Sequence, residues 1–579
     1  MWALTTLGAK MGQLSRFVCN LVSGFWITLA FFLDTGGIAH SQNPPGYPAT
    51  QSRPEATYLD QGWGYDTAEW WYHVSQGTVF MPYQWFVSLE QASGDELFAA
   101  SDHLERLGFL ADLPSAPNPR GLPVGFSIRQ LDFPSKQYWK GEWVGFACAA
   151  CHTGQVRYHG QQIRIEGGPS HLDIETFGDE LGAALAATAA STPKFTRFAA
   201  RVLASGAATT PDQLQASFAA FLQEQRARNS LFEAAQAAAP EVPTASGLGR
   251  LDAVNRGGNL LLAAPLGEAK NYVPTTAPVS YPALWDTPYL DWVLYNASIR
   301  QPLARNIIED LGVGAPIDPK TFLSDKIVHG VLMDNIIAIH RSLTKLESPR
   351  WPEDLLGKID LDKARQGEAI YRQTCAGCHV LIDRGTHMQL ASSGGAVSAE
   401  ITVTTVPLDQ VKTDPRQAVN FAARVITLEK IGGPPSIPYF DAAKAVAGGI
   451  VEQWKNQSPA NAQAESEVDK GRQNEFRGIL AYRARPLNGT WATAPYLHNG
   501  SVPTLHDLLL PSSQRPKIFY VGSWEFDPVD VGVETGSPFA GAFTFDTRLP
   551  GNSNGGHEYG TTNLTEPERM ALIEFLKTL

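Results

Sequence analysis

Two pentapeptides set the terms for this chain: Cys148-Ala149-Ala150-Cys151-His152 and Cys375-Ala376-Gly377-Cys378-His379. Each places two thiols on one turn with a histidine directly after them. Thiols so spaced can add across the two vinyl groups of a porphyrin, and the adjacent histidine then reaches the iron from the same side. The pattern reads as covalent c-type haem, twice, with His152 and His379 as proximal ligands. A four-thiolate zinc site also uses paired CxxC motifs, but its pairs lie roughly 15–20 residues apart, and these stand far more widely separated. A thioredoxin-like dithiol needs a βαβ setting that neither copy shows. A chance disulfide leaves the histidine after each motif unexplained.

The remaining cysteine supports this reading. The 579 residues hold five cysteines, and the fifth, Cys19, lies in an N-terminal segment that reads as an export signal. Lys10 and Arg16 give a positive start, an apolar run follows from Phe17 to Leu33, and small residues near Ala39-His40-Ser41 offer cleavage before Gln42. The run holds Asn20, Ser23 and Gly24 and is short for a membrane span, which favours a cleaved signal at 1–41 over an anchor. No later run approaches the roughly 20 apolar residues of a span. The expected location is periplasmic or secreted, with no membrane span in the mature chain. Every thiol left after cleavage belongs to a haem motif, so none serves a structural disulfide. A net charge of −12 argues against nucleic acid as a partner.

The pattern along the chain reads as mainly α, with two cytochrome c-like haem domains, short β-hairpins and long loop insertions. Gln155 to Ile165 alternates around a glycine and predicts a hairpin. Residues 173–238 are Ala-rich with helical periodicity and predict two or three packed helices. A helix is expected over Ile327–Thr344, and Pro349-Arg350-Trp351-Pro352 marks a boundary between an N-terminal haem domain at 42–350 and a C-terminal one at 351–579. An amphipathic helix from Lys363 to Tyr371 delivers the second motif. Helices are expected over roughly 415–485, and an amphipathic helix at Glu566–Leu579 closes the chain.

Each iron has a sixth position. Filled by His or Met it makes an electron-transfer haem; left open it can bind and activate oxygen or peroxide. Three histidines are candidates. His557 sits in the glycine- and asparagine-rich run Gly551–Gly560, where glycine permits close approach of backbone to a cofactor. His498 lies in Ala494-Pro495-Tyr496-Leu497-His498-Asn499-Gly500. His171 follows Gly167-Gly168-Pro169-Ser170. The residues alone do not rank them.

The motifs, with the Ala494–Ser501 segment after the second, resemble the bacterial di-haem cytochrome c peroxidase superfamily. Arg164–Pro169, Gly249–Asp252, Leu284-Trp285-Asp286, Arg485–Thr493 and Gly551–Gly560 are similar to its oxygenase branch, the di-haem rubber oxygenases and fatty-acid dioxygenases. The resemblance runs from about residue 60 to the C-terminus. It implies that the N-terminal haem, held by His152, binds dioxygen, and that the C-terminal haem is bis-histidine, with His557 opposite His379. It places the apolar lining of the oxygen-binding face around Trp285 to Asn306, with Ile299 and Leu303 as candidates to sit over the iron. Classical peroxidases of the superfamily use a Met on the electron-transfer haem; after the second motif only Met388 and Met570 remain here, and neither lies in a suitable loop.

The leading expectation is therefore a haem-dependent dioxygenase that oxidises or cleaves C=C bonds of an apolar small molecule or polymer, such as an unsaturated fatty acid or polyisoprene. The alternative is a peroxidase fed with electrons by a small periplasmic donor. It needs an acid–base pair over the first haem to move peroxide protons, for which His171 and Glu166 are candidates. A pure electron carrier fits the size of the chain and its insertions least. The expected cofactors are two covalent haem c groups; a structural calcium ion is a further possibility to which no residues are assigned.

Overall fold

The computed structural model describes residues 56–208, 210–390, 396–398, 400–539 and 541–579. The export signal read at 1–41, with Cys19 and His40, lies outside the described residues.

Strand β1 (Ala56–Tyr58) leads into helix α1 (Tyr65–His73). Strands β2 (Met81–Pro82), β3 (Phe126–Leu131) and β4 (Gly141–Phe146) form an antiparallel sheet in the order β2-β4-β3. The first haem motif follows β4 directly, in a short 3₁₀ turn at Cys148–Ala150. Then β5 (Thr153–Tyr158) and β6 (Gln161–Glu166) make the expected hairpin, with β1 added in parallel along β6. Its two-residue turn has both φ angles positive, His159 at 48° and Gly160 at 78°, the geometry that matches strand twist in tight hairpins. Alternation buries Ile163 and Ile165 on one face of β6.

The Ala-rich stretch forms α2 (Ile174–Ala190), α3 (Thr192–Ala204) and α4 (Pro211–Ala238). Each start is capped by a side-chain oxygen, from Asp173, Ser191 and Thr210, and α3 and α4 carry proline in the first turn. They bury Phe177, Leu181, Phe198, Phe218 and Phe221 in one cluster with Trp85, Phe126 and Trp143. Short strands β7 (Arg250–Leu251) and β8 (Val279–Ser280) pair next. Helices α5 (Pro302–Val313) and α6 (Met333–Leu343) follow, then α7 (Leu361–Thr374), which ends on Cys375. Strand β9 (Thr404–Pro407), α8 (Tyr439–Lys455), α9 (Pro459–Asp469) and β10 (Ala481–Ala484) lead to the C-terminal α10 (Glu566–Lys577). Helices α5, α6 and α8 share a second apolar cluster, and α7 and α10 join α1 in a third.

The expectation of a mainly α fold is corrected here. With 41% helix, 14% strand and several small sheets, the chain is mixed α/β. Helical periodicity is legible only in long segments. Pairings such as β2, β7 and β8 are two residues long and too short to carry a period of two. Part of the run expected to be helical to 485 is instead β10, paired antiparallel with β9.

Helix α7 reaches the second motif by crossing α10 at close range. A Cβ on Gly367 would lie 2.0 Å from the Ala571 carbonyl oxygen and 2.9 Å from Leu572 Cα. Gly367→Ala should therefore push the two helices apart and cost about 1–3 kcal/mol. A thermal melt checks this: an unchanged midpoint would mean the helices do not meet at this glycine.

Candidate haem centres

The two motifs present their histidines in the same way. His152 Nδ1 lies 2.8 Å from the Pro282 carbonyl oxygen, and His379 Nδ1 lies 2.7 Å from the Arg485 carbonyl oxygen. A carbonyl only accepts, so Nδ1 carries the proton in both rings and Nε2 keeps its lone pair for a metal. Burial draws His152 down to about 4 and also lowers His379, so both rings are neutral at pH 7. The backbone folds each motif into one turn: the N–H of His152 donates to the Cys148 carbonyl at 3.0 Å and that of His379 to the Cys375 carbonyl at 2.9 Å.

These side chains fit a bound porphyrin. His152, Cys148 and Cys151 each keep part of their surface accessible. His379 and His557 do the same at the second motif. Their ring centroids are 6.0 Å apart. Imidazole nitrogens bind metals such as zinc at about 2.0–2.1 Å, so two rings on opposite sides of one metal put their centroids roughly 6 Å apart. The gap fits one iron. Among the described residues no second imidazole lies against His152; the aromatic ring in contact with it is Tyr281, at 6.4 Å.

The loop carrying His557 is built for close approach. Gly556 has φ 72° and its Cβ would fall 2.3 Å from both the Lys412 carbonyl carbon and the Val411 oxygen, so no other residue fits. His557 itself has φ 56° and its N–H donates to the Val411 carbonyl at 2.8 Å. Buried Arg515 binds the Asn554 and Gly556 carbonyls at 2.6 and 2.9 Å, and Asn499 donates to the Gly551 and Ser553 carbonyls, both at 3.0 Å. Burial draws His557 down to about 3.

The other named residues fall in distinct places. His498 packs its ring on Tyr482 at 4.2 Å, and burial lowers it to about 3. His171 lies against Trp524 at 4.3 Å and is lowered to about 4. Glu166 accepts from the Tyr72 hydroxyl, and its backbone N–H donates to Gln61 at 2.9 Å. Ile299 and Leu303 are buried in the apolar cluster of α5, α6 and α8 with Leu261, Leu262 and Ile307. Trp285 is buried in the cluster of α1, α7 and α10, and its Nε1–H donates to the Asn488 carbonyl at 2.8 Å. Among the described residues no group of three or more His, Cys, Asp or Glu is gathered to hold a separate ion such as calcium, and no helix is long and apolar enough to cross a membrane.

Several residues at the centres have no signature in the sequence. The carbonyls of Pro282 and Arg485 act through their backbone. Glu309 on α5 keeps 51% of its side chain accessible, with Arg305 Nε 3.8 Å away. Both cysteines of the first motif feel its charge. The spacing of Arg305 and Glu309, one helical turn, is visible in sequence, but not their nearness to the first motif.

Comparison with known proteins agrees with this geometry. Residues 481–520 match the family model described as RoxA-like, cytochrome c-like, a segment that holds Arg485, Asn488, His498, Asn499 and Arg515. Over 609 residues the chain is 36% identical to y4iJ of Sinorhizobium fredii, across 98% of this chain and all of that protein. The chain belongs to the y4iJ family. A second Sinorhizobium fredii protein, y4iM, is 39% identical over 88 residues, 14% of this chain and 20% of its own. The RoxA-like match supports haem c binding and a relation to the di-haem c-type oxygenases.

Proposed function

We propose that this y4iJ-family protein is an exported oxidoreductase with two covalent haem c groups, which adds dioxygen to C=C bonds of an apolar substrate at the centre held by His152. The asymmetry of the centres carries the reading: His379 is faced by His557 at 6.0 Å, and among the described residues His152 has no such partner. A haem held by His152 would supply dioxygen binding and activation. The chain supplies a neutral imidazole at His152, fixed by the Pro282 carbonyl; the assignment of Ile299 and Leu303 to the apolar wall of that centre rests on the family resemblance. The RoxA-like match supports the same branch.

Trp285 links the two centres. Pro282, which fixes His152, is three residues before Trp285. Trp285 Nε1–H donates to the Asn488 carbonyl at 2.8 Å, and Asn488 is three residues after Arg485, which fixes His379. This run of two short backbone segments and three hydrogen bonds is a route for single electrons.

The test is haem counting followed by product analysis. Two covalent haems, oxygen-dependent products from an unsaturated fatty acid or polyisoprene, and no need of an added donor are expected. Turnover of peroxide with a reduced small cytochrome, and no alkene product, would overturn the dioxygenase. One observation favours that second reading. Glu309 on α5 is felt by both cysteines of the first motif, as an acid–base group for peroxide would be. If the protein is a peroxidase, Glu309→Gln should abolish peroxide turnover; if it is a dioxygenase, the same variant should leave alkene oxidation within about threefold, a loss of under 1 kcal/mol in the barrier.

A further inference from the structure

We infer that Asp469, at the end of α9, is a positioning residue of the first centre: its carboxylate holds the first turn of α5, and with it Leu303, by the backbone. The inference rests on the reading that Leu303 lines the centre held by His152. Helix α5 opens on Pro302, which has no N–H, and Gln301 before it gives no side-chain cap. Leu303 therefore carries the first N–H of the helix. It donates to Asp469 Oδ1 at 3.2 Å, across 166 positions of sequence. Leu303 is wholly buried, and Val468, beside Asp469, lies in the same apolar cluster. The end of α9 is itself held. The backbone N–H of Arg472 donates to the Asp469 carbonyl at 2.8 Å, and its guanidinium donates to the Pro288 and Leu290 carbonyls at 2.8 and 3.1 Å. A second helix thus supplies, from a fixed place, the cap that α5 does not supply for itself.

The second carboxylate oxygen makes this cap sensitive to protons. Asp469 is 2% exposed, and among the described residues its Oδ2 is buried without a hydrogen-bond partner. A charge there is costly. Burial raises the carboxyl to about 7 against the Leu303 N–H, which lowers it; Glu465, one turn earlier, adds to the rise, and Arg472 and Gln301 oppose it. The other charged groups nearby have partners of their own. On α8 Lys455 feels Asp469 and binds Glu452. On α6 Arg341 binds Glu467, and burial draws His340 down to about 3, which leaves it neutral. On α5 Arg305 turns to Asn306 and Glu309, and Lys470 lies over the Tyr289 ring. Above about pH 7 the ionised carboxylate accepts the stronger hydrogen bond and sits at the positive end of α5. Below it the neutral acid holds the turn less firmly, and Leu303 is freer to move aside.

The experiment follows carbon monoxide recombination with the full, reduced holoprotein after a flash, at a series of pH values across 7. The wild-type rate should rise about threefold as pH falls, with a midpoint near 7. A flat wild-type profile would overturn the inference. Asp469→Asn keeps the shape and cannot ionise; with haem content unchanged, its rate should stay at the wild type's low-pH value throughout. Glu465→Gln removes a charge that favours the proton, so its midpoint should move to lower pH. Leu303→Val should change the rate at every pH. If it does, a step that persists at the wild-type midpoint in Asp469→Asn overturns the inference alone and gives the titration to another group, with Glu309 the next to test. A wild-type profile in Leu303→Val overturns the placing of Leu303 at the first centre, and the inference with it. If Asp469→Asn does not fold, Glu465→Gln decides: a midpoint that stays or rises overturns the inference, and one that falls supports it.

Discussion

Replacing Cys375 and Cys378 together with alanine should leave a protein with about half the covalent haem of the parent, and replacing Cys148 and Cys151 should do the same at the other site. The argument begins with the thiols. All four are free in the structure and only partly buried. Burial pushes Cys151 up to about 12 and Cys375 up to about 11. A protonated thiol is a poor nucleophile, so these cysteines are unreactive once the chain has closed around them, and attachment must come before burial. A site without its thiols loses its haem and leaves its histidine without a metal, and buried polar atoms without partners are costly. The variants should therefore melt below the parent as well as lose haem. They should differ in one respect: loss of the first pair abolishes alkene oxidation, and loss of the second leaves dioxygen binding in place. A pyridine haemochrome assay gives the stoichiometry. Full haem content in either double variant would show that the motif does not attach it.

What the sequence disclosed follows from what kind of interaction each feature uses. The two CxxCH motifs and their histidines are local, and the structure places each in a single turn with Nδ1 occupied and Nε2 free. The glycine-rich run around His557 was legible because close approach needs residues without a Cβ, and Gly556 meets Val411 and Lys412 for that reason. The long helices α2 to α4 were legible from period and caps. The small sheets were not, since two-residue pairings such as β7 with β8 are decided by partners far along the chain. The same holds for the groups that hold the two histidines and their surroundings. Pro282 and Arg485 act through carbonyls, which every residue has. Asp286 with His387 joins positions 101 apart in sequence, and one chain read alone has no signal for such a pair.

His557→Ala should convert the second haem from low spin to high spin and leave the first haem's response to dioxygen intact. Two neutral imidazoles on one iron give a strong axial field and a low-spin centre suited to passing electrons. The rings of His379 and His557 stand 6.0 Å apart, and removing one opens the position it fills. Exogenous imidazole should then enter and restore the low-spin spectrum, which separates loss of a ligand from collapse of the loop. The loop itself should survive, because Arg515, Asn499 and the Val411 carbonyl hold it through backbone groups that alanine keeps. The pH response has a definite sign. Burial draws His557 to about 3, while an unfolded histidine titrates near 6.5. The unfolded chain therefore binds the extra proton first, and the stability contributed by neutral His557 is complete above about pH 6.5 and lost progressively as pH falls toward 3. The wild type should lose low-spin signal and fold together on acidification, whereas His557→Ala lacks this part of the acid sensitivity. Paramagnetic resonance on both proteins decides it. A low-spin signal that persists in His557→Ala transfers the ligand role to His498, whose ring would have to leave Tyr482 to reach the iron, and His498→Ala would then be the variant that turns high spin.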